Sequence, residues 1–201
     1  MRIVELLAEI SWIETAAVVF AIAYLVLAIR QSSLCWPAAL ISVVLSLVLF
    51  YDARLYMETA LQVFYIVMAV YGWYQWRRGG TRHTGVKITT WSARRHLISI
   101  GAILVLTFAF GVALKAYTDG AMPFLDSFTT IGAIVTTYMV AKKILENWIY
   151  WLVVDSASAY LYGARGLYLY ALLYVFYLVL VVIGYRRWLE DWRHDATPAA
   201  A

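Results

Sequence analysis

Long unbroken apolar runs organise this chain, with little alternation of apolar and polar positions. They fall at about 11 to 29, 35 to 51, 59 to 76, 97 to 117, 124 to 141, 147 to 163 and 167 to 185. Each is close to the ~20 residues a helix needs to cross a ~30 Å hydrocarbon layer at about 1.5 Å per residue. Seven transmembrane helices are therefore predicted. The longest polar interruption, Arg77 to Arg95, holds Gly79, Gly80, Gly85, five arginines and Lys87, and reads as a solvated loop. The segment from Arg186 has little to bury and is expected to be frayed, with residues 189–201 forming a cytoplasmic tail.

Composition agrees with an all-α integral membrane protein forming a single membrane domain over 1–201. Hydrophobic residues make up 64% and charged residues 14%, with a mean hydropathy of +0.75; that is too little charge for the polar skin of a soluble domain. Glu5 and Glu9 stand where a cleavable signal would be basic, so the first run is expected to stay in the protein. The lone Cys35 excludes an internal disulfide, and His83, His96 and His194 lie apart in polar segments, so neither metal nor cofactor is expected. The net charge of +4 does not point to nucleic acid, because the Lys and Arg residues gather at the ends of apolar runs. With seven crossings, Arg2, Arg54, Lys115 and Arg165 share one side and the other twelve basic residues share the opposite side. The positive-inside rule then puts the N-terminus outside and the C-terminus in the cytoplasm.

The chain also repeats itself. At an offset of 112, Trp36 falls on Trp148, Leu40 on Leu152, Ser46 on Ser158 and Leu55-Tyr56 on Leu167-Tyr168. Val63-Phe64-Tyr65 falls on Val175-Phe176-Tyr177, Gly72 on Gly184 and Trp76 on Trp188. Two three-helix repeats, 11–76 and 124–188, are implied, joined by a linker helix at 97–117. Three helices plus one make an even number of crossings, so the repeats run parallel, which is a transporter architecture with its site near the midplane. An anchor or scaffold is the plainer alternative, but it has no use for polar groups at mid-depth.

Such groups concentrate in the second copy. Asn147, Trp148, Trp151, Asp155, Ser158 and Tyr162 share one helix face, and their mates are Cys35, Trp36, Ala39, Val43, Ser46 and Phe50. Asp155 lies about 12 Å into its helix, where a carboxylate costs at least ~2.5 kcal/mol unless it faces water or a partner. Packing of a protonated Asp155 against Ser158 or a tyrosine is the alternative reading. One turn separates Gln62 from Tyr65, and their mates Tyr174 and Tyr177 are placed to close a cavity from the other half. Trp12, Trp73, Trp76, Trp188 and Trp192, near helix ends, read as interfacial anchors, whereas Trp151 and Tyr65 lie deeper. Two indoles and a carboxylate suit a flat cationic aromatic solute. A phosphate would call for Arg or Lys, and no span carries one at mid-depth.

Ser11-Trp12-Ile13-Glu14, Leu61-Gln62-Val63-Phe64-Tyr65 with Tyr71-Gly72-Trp73-Tyr74-Gln75-Trp76, and Glu146-Asn147-Trp148-Ile149-Tyr150-Trp151 together resemble the PnuC family of nicotinamide riboside transporters. The resemblance runs from about 11 to 188, with Asn-Trp-x-x-Trp its most specific part. It implies a 3+1+3 fold similar to a doubled half-SWEET in a bacterial inner membrane. It further implies uptake of an unphosphorylated vitamin by facilitated diffusion, trapping by a cytoplasmic kinase, and assembly as a homo-oligomer, a trimer. By position, Gln62, Trp148, Trp151 and Asp155 would line the substrate site. Members associated with nicotinamide riboside tend to carry Asn at the position of Asp155, and the family includes thiamine carriers, so nicotinamide riboside and thiamine are both candidate substrates. A retinal protein is excluded because residues 167 to 185 hold no Lys, and Asp155 alone does not make an enzyme site. A vitamin-selective channel stays open.

Overall fold

The computed structural model describes residues 12–52, 56–80, 83–118, 122–166 and 168–196. The readings of Arg2, Glu5, Glu9 and Ser11, the match of Leu55 to Leu167, and the last five residues of the tail lie outside the described residues. The rest is helical: α1 (Trp12–Ile29), α2 (Cys35–Asp52), α3 (Tyr56–Arg78), α4 (Ala93–Tyr117), α5 (Pro123–Ala141), α6 (Asn147–Ala164) and α7 (Tyr168–Ala196). These match the apolar runs closely, because a segment in hydrocarbon must satisfy its backbone internally. Among the described residues, four stretches are long and apolar enough to cross a membrane: Trp12–Ile29, Ala93–Tyr117, Pro123–Ala141 and Tyr170–Asp195. Helices α3 and α6 are no shorter than α1; their apolarity is diluted by groups such as Gln62, Asn147 and Asp155.

Two expectations are corrected. The segment after Arg186 does not fray at once, since α7 continues to Ala196. Trp188 is fully buried, Arg187 lies 3.8 Å from Asp191 one turn on, and Asp195 meets Lys87 at 3.3 Å. Nor is the whole of Arg77 to Arg95 a free loop: Thr89 forms a parallel bridge with Ile144.

The chain divides into two compact units, Met1–Val86 and Lys87–Ala201. In the first, α2 packs on both α1 and α3. Ser42 Oγ donates to the Ala17 carbonyl at 2.8 Å, so the polar group between α1 and α2 is satisfied within the helix pair. Trp36 packs edge-on against Trp76, and a Cβ at Gly72 would run into the Trp36 indole.

In the second unit α4 packs on α5, α5 on α6 and α6 on α7. Small residues set each approach: a Cβ at Gly111 would meet Phe124, one at Gly132 would meet Val154, and one at Gly184 would meet Trp148. Ser127, Thr136 and Thr137 donate their hydroxyls to carbonyls one turn back, which keeps α5 free of unsatisfied hydroxyls at these positions. Trp148 and Trp188 repeat, 112 residues on, the pairing of Trp36 with Trp76. Trp76 and Trp188 are thus buried packing residues and not interfacial anchors, whereas Trp12 and Trp73 are exposed.

Candidate functional site

Helix α6 turns Asn147, Asp155 and Ser158 inward and leaves Ser156 exposed. Asn147, Trp148, Val154, Asp155, Ser158 and Leu161 are buried, while Ile149, Leu152, Val153 and Tyr160 are exposed. The face inferred from spacing is thus the face that packs on α5 and α7. Asp155 sits midway along the helix and is 4% exposed. Among the described residues no basic side chain pairs with it, and Tyr177 of α7 lies within electrostatic reach. Ser158, one turn on, is buried on the same side.

Tyrosines continue the site toward the far end of α6. Tyr162 stacks on Tyr174 with centroids 5.4 Å apart and planes at 12°, and on Tyr170 at 5.4 Å and 25°. Tyr174 meets Tyr177 edge-on at 5.8 Å. The repeat brings out Tyr174 and Tyr177 as mates of Gln62 and Tyr65; Tyr170 belongs to the same cluster and is missed, although its interval of four from Tyr174 carries the signal.

Toward the other end, Asn147 is fully buried. Its amide nitrogen donates to the Ile144 carbonyl at 2.7 Å, while its Oδ1 has no partner among the described residues. Trp148 is 1% exposed, held between Gly184 and Trp188, with its indole N–H also unpartnered. Its repeat mate Trp36 shows the same burial and the same unpartnered N–H. Trp151 keeps part of its surface open. Gln62, buried, and Tyr65, half-buried, stand on α3 in the first unit, with Tyr65 in electrostatic reach of Tyr24.

A helical chain with repeated apolar spans and a buried carboxylate that has no basic partner among the described residues, beside a tyrosine cluster, is a multi-pass membrane protein of the transporter class. The family model described as nicotinamide mononucleotide transporter matches residues 11–190, and the chain belongs to this PnuC family. The riboflavin/roseoflavin transporter RibM of Streptomyces davaonensis is 32% identical over 197 residues, 94% of this chain and 90% of that protein. The nicotinamide riboside transporter PnuC of Escherichia coli is 26% identical over 217 residues, covering 95% of this chain and 90% of its own. The crystal structure of the vitamin B3 transporter PnuC superposes with a TM-score of 0.73 at 27% identity, covering 94% of this chain and 85% of that one.

Proposed function

We propose that the protein is an inner-membrane carrier that takes up an unphosphorylated aromatic vitamin, nicotinamide riboside, by facilitated diffusion, with a cytoplasmic kinase trapping the product. All seven helices cross the membrane as two parallel three-helix repeats joined by α4, with the N-terminus outside and the C-terminus in the cytoplasm. The chain works as a homo-oligomer, a trimer. The substrate contacts are Gln62, Tyr65, Asn147, Trp148, Trp151, Asp155, Ser158, Tyr174 and Tyr177.

The observation that carries this reading is Asp155, buried midway along α6, without a basic partner among the described residues, in reach of Tyr177, whose ring meets Tyr174 of the Tyr162–Tyr174 stack. A carboxylate so placed favours a cationic ring, and flat phenols favour a flat one. The family description names the mononucleotide, but a dianionic phosphate next to Asp155 would be desolvated without a countercharge. Thiamine has the same cationic heteroaromatic chemistry and competes for the same site.

A second reading, riboflavin, is favoured by the 32% identity to RibM and by the three stacked tyrosines, which suit a wide neutral ring system as well as a small charged one. Titration of the purified protein with nicotinamide riboside, its 5′-phosphate, thiamine and riboflavin decides between them. Tight binding of riboflavin alone would replace the first reading, and tight binding of the phosphate would remove the argument from Asp155. Counterflow in liposomes distinguishes a carrier, whose exchange accelerates with substrate on the far side, from a channel.

A further inference from the structure

The loop leading into α4 is fastened to the start of α6. The Thr89 N–H donates to the Lys143 carbonyl at 3.0 Å, and the Leu145 N–H donates to the Thr89 carbonyl at 2.8 Å. Two residues further on, the Trp91 N–H donates to Glu146 Oε2 at 3.3 Å. The other oxygen, Glu146 Oε1, stands 3.8 Å from His96 Nε2. His96 Nδ1 shares a 3.0 Å hydrogen bond with the Tyr150 hydroxyl, and the His96 ring contacts both Trp91 and Tyr150 with centroids 5.8 Å apart.

We infer that this clasp of His96, Glu146 and Tyr150 couples the connection between the two units to the substrate helix, making the three side chains positioning residues for the transport step. The inference rests on the carrier reading above.

Glu146 is the N-cap of α6, yet its carboxylate makes no cap bond to its own helix and is spent on the loop. A carboxylate at a helix N-terminus ordinarily serves the helix's own free N–H groups. The clasp is also absent from the first repeat, where the mates of Glu146 and Tyr150 are Leu34 and Ala38. If it served only to fold a three-helix repeat, both copies would need it. It occurs in the copy whose helix carries Asp155. Helix α4 packs on α5, so its tie to α6 runs through these polar contacts.

The loop is also the covalent path between Met1–Val86 and Lys87–Ala201. A pull transmitted along it arrives at the first turn of α6, where Leu145 stands three residues before Trp148 and Glu146 five residues before Trp151. Asp155 is nine residues from Glu146, about 13 Å along the axis. Releasing the clasp should therefore spare binding at Asp155 and impair movement of the helix that carries it. His96 and Glu146 side chains are 22% and 21% exposed, so water can exchange with these contacts during a cycle.

The test is counterflow of nicotinamide riboside by purified protein in liposomes, paired with equilibrium binding and thermal melting in detergent. Glu146→Ala is expected to slow exchange about threefold to tenfold, as the loss of one or two net hydrogen bonds implies, with Kd within about twofold of the parent. Glu146→Gln keeps an acceptor for the Trp91 N–H and should recover most of the rate. Tyr150→Phe should slow the same step, and combined with Glu146→Ala it should add little. Loss of binding and of melting temperature in proportion to rate would reduce the clasp to a structural brace, and unchanged exchange in Glu146→Ala would overturn its role outright. Parent protein that binds none of nicotinamide riboside, thiamine and riboflavin defeats the carrier reading instead. Amide exchange at Thr89 and Leu145 reads the clasp without any substrate, and unaltered protection in Glu146→Ala would overturn it independently.

Discussion

Trp148 stands perpendicular to Trp188, at 89° with centroids 5.3 Å apart, over the bare backbone of Gly184. In the first unit Trp36 stands to Trp76 at 90° and 5.7 Å over Gly72. Each lock joins the first turn of one helix to the latter part of the next, and each depends on a glycine because the indole occupies the space of a Cβ. The lock recurs at the offset of 112, whereas the neighbouring polar residues do not: Asn147 faces inward where the matching position is Cys35, and Asp155 where it is Val43.

Gly72→Ala and Gly184→Ala should each lower stability by about 1–3 kcal/mol, the usual penalty of forcing an extra carbon into a packed contact. Thermal melting of the purified protein in detergent measures it. A melting temperature unchanged in both variants would show that the indoles can shift aside at no cost.

The two neighbouring indoles of α6 should separate by readout. Trp148→Ala removes a side chain that is 1% exposed and should act first on stability, by roughly 3–5 kcal/mol as for other large-to-small core changes. Trp151→Ala, with part of its ring open, should leave the melting temperature nearly unchanged and weaken vitamin binding by about 1–2 kcal/mol if a cation–π contact is lost there. Equal melting temperatures and equal affinities for the two variants would contradict this division.

The helices were legible in the sequence because a membrane span announces itself by length and apolarity, and the repeat because Trp, Gly and Tyr recur at one offset. The inward face of α6 was legible from its spacing. What the spacing could not resolve was which inward side chain already has packing partners: Trp148 and Trp151 look alike on one face, and only the approach of Gly184 tells them apart. The repeat held a clue, since Trp36 and Gly72 are retained where the polar site is not. The extension of α7 to Ala196 was hidden because its last turns are charged and amphipathic, held by Asp191, Asp195 and a buried Trp188 and not by hydropathy. His96 looked solitary for a different reason. Its polar partners Glu146 and Tyr150 lie 50 and 54 residues away, and the pairing of Thr89 with Ile144 that brings them together leaves no periodic trace.

The proposed topology rests on the division of basic residues, twelve on one side and four on the other when all seven helices cross. A fluorescent reporter fused after Ala201 should be cytoplasmic, and an alkaline phosphatase fused there should be inactive in intact cells. An active phosphatase fusion would overturn seven crossings with the N-terminus outside, and a second fusion before Trp12 would then tell an inverted seven-span chain, which keeps the parallel repeats, from an even number of crossings, which breaks them.

Charge at Asp155 gives the sharpest test. The side chain is buried midway along α6 with Tyr177 in electrostatic reach and no cation paired to it among the described residues. If it is ionised when the vitamin binds, a cationic ring gains a charge-assisted contact, worth about 1.5–3 kcal/mol. Asp155→Asn keeps the shape and the capacity to hydrogen-bond but removes that charge. Affinity for nicotinamide riboside should then fall roughly tenfold or more, while affinity for a neutral isostere of the same ring should change by less than about twofold. Binding of the 5′-phosphate should be weak to the parent and stronger to the variant, because the repulsion between carboxylate and phosphate in a poorly screened cavity disappears. Isothermal titration with the three ligands against both proteins measures all of this. Equal losses for the cationic and neutral ligands would mean that Asp155 holds the cavity together and does not read charge. Uptake of nicotinamide mononucleotide by the parent protein in sealed liposomes, where no phosphatase can act first, would show that the carboxylate does not exclude phosphate.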